Sequence, residues 1–219
     1  MNLLSQTFDF FLRGGPFMVF LLIVSVVSCT VILLRGRALR EKVVIPVQVA
    51  VALDKLAPGD DIGLLQFAIE RYPSPISRVL NVLVQHLNWP KAENLEAIQT
   101  RARHEVAMME NGLVILEIST GIAPLLGLLG TLSGLVGIFA SLGASGDPVV
   151  IARGISEALN TTIVGLAVAV PSLIAFNYYQ RRVEVLAISM ESMAADLLAK
   201  CYPYGELPQV EKQVERQAA

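Results

Sequence analysis

Three stretches of this chain carry no charged residue at all: Pro16 to Leu34, Ile118 to Gly146, and Ala158 to Gln180. Each is close to or above the roughly 20 residues that cross a hydrocarbon core as a helix. The remaining composition fits, since 54% of the 219 residues are hydrophobic and only 16% are charged, against about a quarter charged in an average soluble domain. The expected fold is therefore an all-α membrane protein with three transmembrane helices. The first stretch runs directly into Arg35-Gly36-Arg37 without a small-residue cleavage site, so it reads as a retained anchor rather than a signal peptide.

Orientation follows from where the basic residues fall between the spans. One, Arg13, precedes the first span, and one, Arg153, lies between the second and third. Ten lie between the first and second: Arg35, Arg37, Arg40, Lys42, Lys55, Arg71, Arg78, Lys91, Arg101 and Arg103; Arg181, Arg182, Lys200, Lys212 and Arg216 follow the third. Fifteen against two places the N-terminus outside, and the long middle segment and the C-terminus in the cytoplasm. A formal charge of -2 leaves no basic face for nucleic acid. Cys29 and Cys201 fall on different sides of this topology, so neither a disulfide framework nor a metal motif follows from them.

Along the chain, Leu3, Leu4, Phe8, Phe11 and Leu12 recur at helical spacing and suit an outer interfacial helix over 1–15. The first span occupies 16–34, and a helical cytoplasmic segment fills 35–112. Within it, the acidic residues of Pro58-Gly59-Asp60-Asp61 are placed to cap a helix starting near Ile62. Tyr72-Pro73-Ser74-Pro75 separates that helix from a second, whose stripe is Ile76, Val79, Leu80, Leu83 and Leu87. From Lys91 a stripe of Leu95, Ile98, Ala102, Val106, Met109, Leu113 and Leu116 enters the second span, 113–142, with no evident breaker. One helix from Lys91 to Leu142 would be roughly 75 Å long. After an outer loop and helix start over 143–156, the third span covers 157–180. Val183, Leu186, Met190, Met193 and Leu197 extend its helix into 181–219, which ends in a polar tail. Two of the three spanning helices are thus expected to reach far into the cytoplasm beside a helical bundle. Helices that long need partners, which points to an assembly.

The second span carries Thr120, Pro124, Gly127, Thr131 and Gly134 at steps of three and four, with Gly130 and Gly134 forming a small-xxx-small pair. The third repeats the design in Thr162, Gly165, Ala169 and Ser172. Such faces suit either tight packing of two helices in one subunit or a smooth surface along a pore, and a membrane threonine can also bond its own preceding turn. No Asp, Glu, Lys, Arg or His lies well inside a span. An ion path normally needs an ionisable group at depth, so another chain would have to supply it. Glu117 stands near the cytoplasmic edge and Glu157 opens the third span, where the helix N-terminus favours a carboxylate.

The stretch Ala123-Pro124-Leu125-Leu126-Gly127-Leu128-Leu129-Gly130-Thr131-Leu132-Ser133-Gly134 resembles the second-span signature of the ExbB/TolQ/MotA proton-channel family. Gly154-Ile155-Ser156-Glu157-Ala158-Leu159-Asn160-Thr161-Thr162-Ile163-Val164-Gly165-Leu166, with Ala169-Val170-Pro171 and Asn177, resembles its third. The resemblance is close over 110–183 and topological elsewhere; three spans favour the ExbB/TolQ branch over MotA. It implies a homopentamer in the bacterial inner membrane, embedded in lipid, whose second and third spans line a pore. The pore would hold an ExbD/TolR-like single-span partner, as a dimer, whose Asp carries the ion. Thr131 and Thr162 match the family's pore-lining threonines and Glu157 its acidic residue. Pro124, Gly127, Gly130, Gly134, Gly165, Ala169 and Pro171 would then be the packing residues of the pore face. The implied function is the channel ring of a motor that couples proton flow to work at the outer membrane. The alternative is a non-conducting membrane scaffold for a partner complex.

An enzyme is not expected, since no paired intramembrane carboxylates and no serine with a base are present. His86 and His104 read as packing or surface residues. No cofactor is implied.

Overall fold

The computed structural model describes residues 15–145 and 148–202, all of its regular structure helical. The expected N-terminal interfacial helix and polar tail lie outside these residues. The order is α1 (Gly15–Ala38), α2 (Glu41–Val44), α3 (Val47–Asp54), α4 (Gly63–Arg71), α5 (Pro75–Gln85), α6 (Lys91–Glu110), α7 (Leu113–Ser145) and α8 (Pro148–Cys201). Three helices, α1, α7 and α8, are long and apolar enough to cross a membrane. They group into two units, 1–37 with 110–181, and 38–109 with 182–219.

In the first unit α1, α7 and the first part of α8 enclose a narrow core of Met18, Leu21, Ala123 and Ala169, flanked by Val24, Leu126, Val164 and Val168. Polar side chains tie the same helices together where no water competes. Ser28 Oγ on α1 donates to Ser119 Oγ on α7 at 2.9 Å, and Tyr179 Oη on α8 donates to the Ile32 carbonyl at 2.8 Å. Only 17% of the apolar window in α1 and 22% of those in α7 and α8 are buried within the chain. The rest of each surface is left for lipid or for other chains.

The stripe that predicts one helix from Lys91 to Leu142 is interrupted in the structure. α6 ends at Glu110, and α7 begins at Leu113 after a turn at Asn111–Gly112. Gly112 has φ +83, a conformation that favours glycine. A Cβ there would stand 3.0 Å from Arg35 Nη2. α8, by contrast, is one unbroken helix of 54 residues, about 80 Å long at 1.5 Å per residue. It opens at Pro148, where the fixed φ of proline suits the first helical position, and α7 runs on to Ser145. Within 143–156, residues 143–145 and 148–156 are helical.

The second unit packs α2 to α6 and the last part of α8 around Val44, Val49, Leu53, Leu65, Ile76, Val79, Leu80, Leu83, Ile98, Leu186, Met190 and Leu197. Its turns are built by local side chains. Asp61 Oδ1 accepts from the Gly63 N–H at 3.1 Å at the start of α4. Ser74 Oγ accepts from the Ser77 N–H at 3.2 Å, with Pro75 at the first position of α5.

Candidate functional site

The small-residue faces of α7 and α8 meet each other. A Cβ on Gly127 would lie 3.0 Å from the Thr161 carbonyl oxygen and from Thr162 Cα, and one on Gly165 would lie 2.6 Å from the Ala123 carbonyl oxygen. On Gly134 it would approach Ala158 Cβ to 2.9 Å, and on Gly130 it would run into the Thr161 methyl group. The missing side chains are what let the two backbones approach. Gly127, Gly130, Gly134 and Gly165 thus stand at the contact of α7 with α8 within a single chain. Ala169 is buried in the core against α1 and α7, Pro124 is half-buried and Pro171 is exposed.

At this contact stand the two threonines. Thr131 on α7 is buried and Thr162 on α8 is half-buried, with their hydroxyl oxygens 2.5 Å apart. The Thr131 hydroxyl also has the Gly127 and Ala158 carbonyls at 3.1 Å, and the Thr162 hydroxyl has the Gly127 carbonyl at 3.1 Å. Two hydroxyls hold two protons, so these contacts are alternatives. Either Thr162 donates to Thr131 and Thr131 donates to a carbonyl, or Thr131 donates to Thr162 and Thr162 donates to Gly127. In the first arrangement Thr162 keeps open lone pairs, and in the second Thr131 does. The pair is a hydrogen-bonded clasp between α7 and α8 whose polarity can reverse without either proton losing an acceptor.

Glu157 immediately precedes Ala158, whose carbonyl joins that clasp. Because α8 opens at Pro148, Glu157 lies in its third turn, beyond the first turn in which a helix N-terminus favours a carboxylate. Its Oε1 instead accepts from Arg153 Nε at 3.2 Å, one turn earlier. Both are accessible, with side chains 34% and 66% exposed. The i,i+4 spacing was readable in the sequence, as was Thr161, whose methyl group and carbonyl line the glycine contact. Thr120 and Ser172 bond carbonyls of their own preceding turns, Glu117 at 2.6 Å and Val168 at 2.8 Å. Among the described residues, no group of three or more His, Cys, Asp or Glu could hold a metal ion.

Residues 72–192 match the model of the MotA/TolQ/ExbB proton channel family. An ExbB-like biopolymer transport protein of Synechocystis is 32% identical over 205 residues, covering 90% of this chain and 77% of the relative. The biopolymer transport protein ExbB of Helicobacter pylori is 44% identical over 81 residues, 36% of this chain and 56% of the relative. An ExbB homologue of Methanothermobacter thermautotrophicus is 34% identical over 116 residues, 53% of this chain and 42% of the relative.

Proposed function

This chain belongs to the MotA/TolQ/ExbB proton channel family, and from that premise we propose that it is the ring-forming channel subunit of an inner-membrane motor driven by protons. In this reading five copies surround two single-span helices of an ExbD/TolR-like partner. The N-terminus faces the periplasm and the C-terminus the cytoplasm. An Asp on the partner carries the ion, and the work is done on an outer-membrane process. No enzymatic step is involved.

The observation that supports this most is the Thr131–Thr162 clasp. It joins two uncharged spans through a pair of hydroxyls, one of which always has lone pairs to spare. A protonated partner Asp could donate to the open hydroxyl. An ionised one could accept a hydroxyl proton at the cost of one clasp bond. Moving one charge through 100 mV releases about 2.3 kcal/mol, more than the roughly 0.6–2 kcal/mol of a hydrogen bond between membrane helices. The gradient is therefore strong enough to make and break such contacts.

A second reading, a non-conducting scaffold, is favoured by the glycine contacts, which are satisfied within one subunit. Proton uptake into liposomes containing this chain and its partner separates the two. The channel reading expects uptake that depends on the partner's Asp. The scaffold reading expects none with any partner.

A further inference from the structure

Arg153 is the one Lys or Arg between residues 111 and 180, and it is spent on Glu157, Nε to Oε1 at 3.2 Å. The pairing does little for the fold, because an exposed i,i+4 pair contributes little and exchanges readily with other ions. A carboxylate at the mouth would attract a cation most strongly with no neighbouring cation at all. With Arg153 one turn away, its field is largely cancelled until the guanidinium swings aside.

We propose that Arg153 is a tethered counter-ion that competes with the incoming cation for Glu157 and so sets how readily the outer mouth admits it. The inference rests on the reading of Glu157 as part of the ion path. Arg153 is a positioning residue that acts through Glu157. Its long, exposed side chain can leave the carboxylate by rotamer change alone, with no movement of α8. Removing it should speed entry while leaving the ring and its partner intact.

The test is proton uptake, followed by a trapped pH dye at fixed membrane potential, into liposomes holding the complete complex. Arg153→Gln should raise uptake about twofold, the worth of an exposed i,i+4 pair. Arg153→Lys, which keeps the charge, should return uptake toward that of the wild type. In a Glu157→Gln background the same Arg153→Gln change should have no effect on whatever uptake remains. Equal uptake with and without Arg153, or a gain that persists without Glu157, would overturn the proposal. A second readout does not depend on conduction: mass-resolved modification of Glu157 by a water-soluble carbodiimide should be faster in Arg153→Gln than in the wild type. An unchanged rate overturns the proposal even if the wild-type complex passes no protons, a result that by itself defeats only the ion-path reading.

Discussion

Glu105 shows at a single residue how the second unit handles charge. Its side chain is 2% exposed, with Arg78 Nε at 2.8 Å and Arg101 Nη2 at 2.7 Å. Burial pushes this carboxyl upward, but the hydrogen bond and charge of Arg78, with the charges of Arg101 and His104, hold it below its ordinary value of 4.5. A carboxylate with a depressed folded pKa contributes stability that is present above the ordinary value and lost as pH falls through the lower folded one. The thermal stability of the solubilised protein should accordingly fall as pH drops below 4.5. Glu105→Gln should cost about 1–2 kcal/mol at neutral pH, since it removes the charge from a buried acceptor held by two guanidinium groups that are themselves part-exposed and can turn to water, and should flatten that acid limb. An acid limb of the same depth in Glu105→Gln would contradict the assignment. Residues differ in how legible they are from sequence. Thr131, Thr162 and Glu157 stand out because they fall in the two stretches that resemble the family's signatures, among other polar residues of the same spans such as Thr120 and Ser172. Arg153 with Glu157 needed only the i,i+4 rule. Glu105 with Arg78 joins residues 27 apart, and nothing local announces it.

At the scale of helices, three apolar stretches without charge were enough to identify the spans, because chain length and hydrocarbon thickness leave little freedom. The break at Asn111–Gly112 was hidden because Met109, Leu113 and Leu116 are all buried, so the apolar stripe continues in phase across the turn. The Asn-Gly dipeptide was the signal for it. Gly112→Ala should strain a positive φ and crowd Arg35, costing about 1 kcal/mol or more. The glycines of α7 and α8 divide in the same way. Gly165→Ala sets a Cβ against the Ala123 carbonyl oxygen and should cost about 1–3 kcal/mol by overpacking. Gly121 and Gly137 have nothing within 4 Å, so Gly137→Ala should be neutral for the isolated subunit. Denaturation of each variant in detergent measures both effects, and a Gly165→Ala protein as stable as the wild type would show that α7 and α8 do not pack this closely.

For the whole molecule, the basic residues and the helices make one topology testable. In a chain lacking Cys29 and Cys201, a cysteine at exposed Ala152 should react with an impermeant thiol reagent on intact spheroplasts. One at exposed Gln99 should react only after the membrane is opened. The reverse pattern would invert the proposed orientation. Cys201 itself serves poorly as an inside reporter, because burial raises its thiol pKa. The exposed surfaces of α1, α7 and α8 imply neighbours that a single chain does not supply, and which surfaces meet lipid and which meet other subunits was not legible from spacing alone. The central claim, that the threonine clasp serves an ion path, is tested most directly by proton uptake into liposomes containing the complete complex with Thr131→Val and Thr162→Val. Valine keeps the volume and removes the hydroxyl, so the rings should still assemble and bind their partner while uptake falls severalfold, with Thr→Ser retaining much of it. Uptake at wild-type levels in both valine variants would make the clasp a packing device and contradict the account.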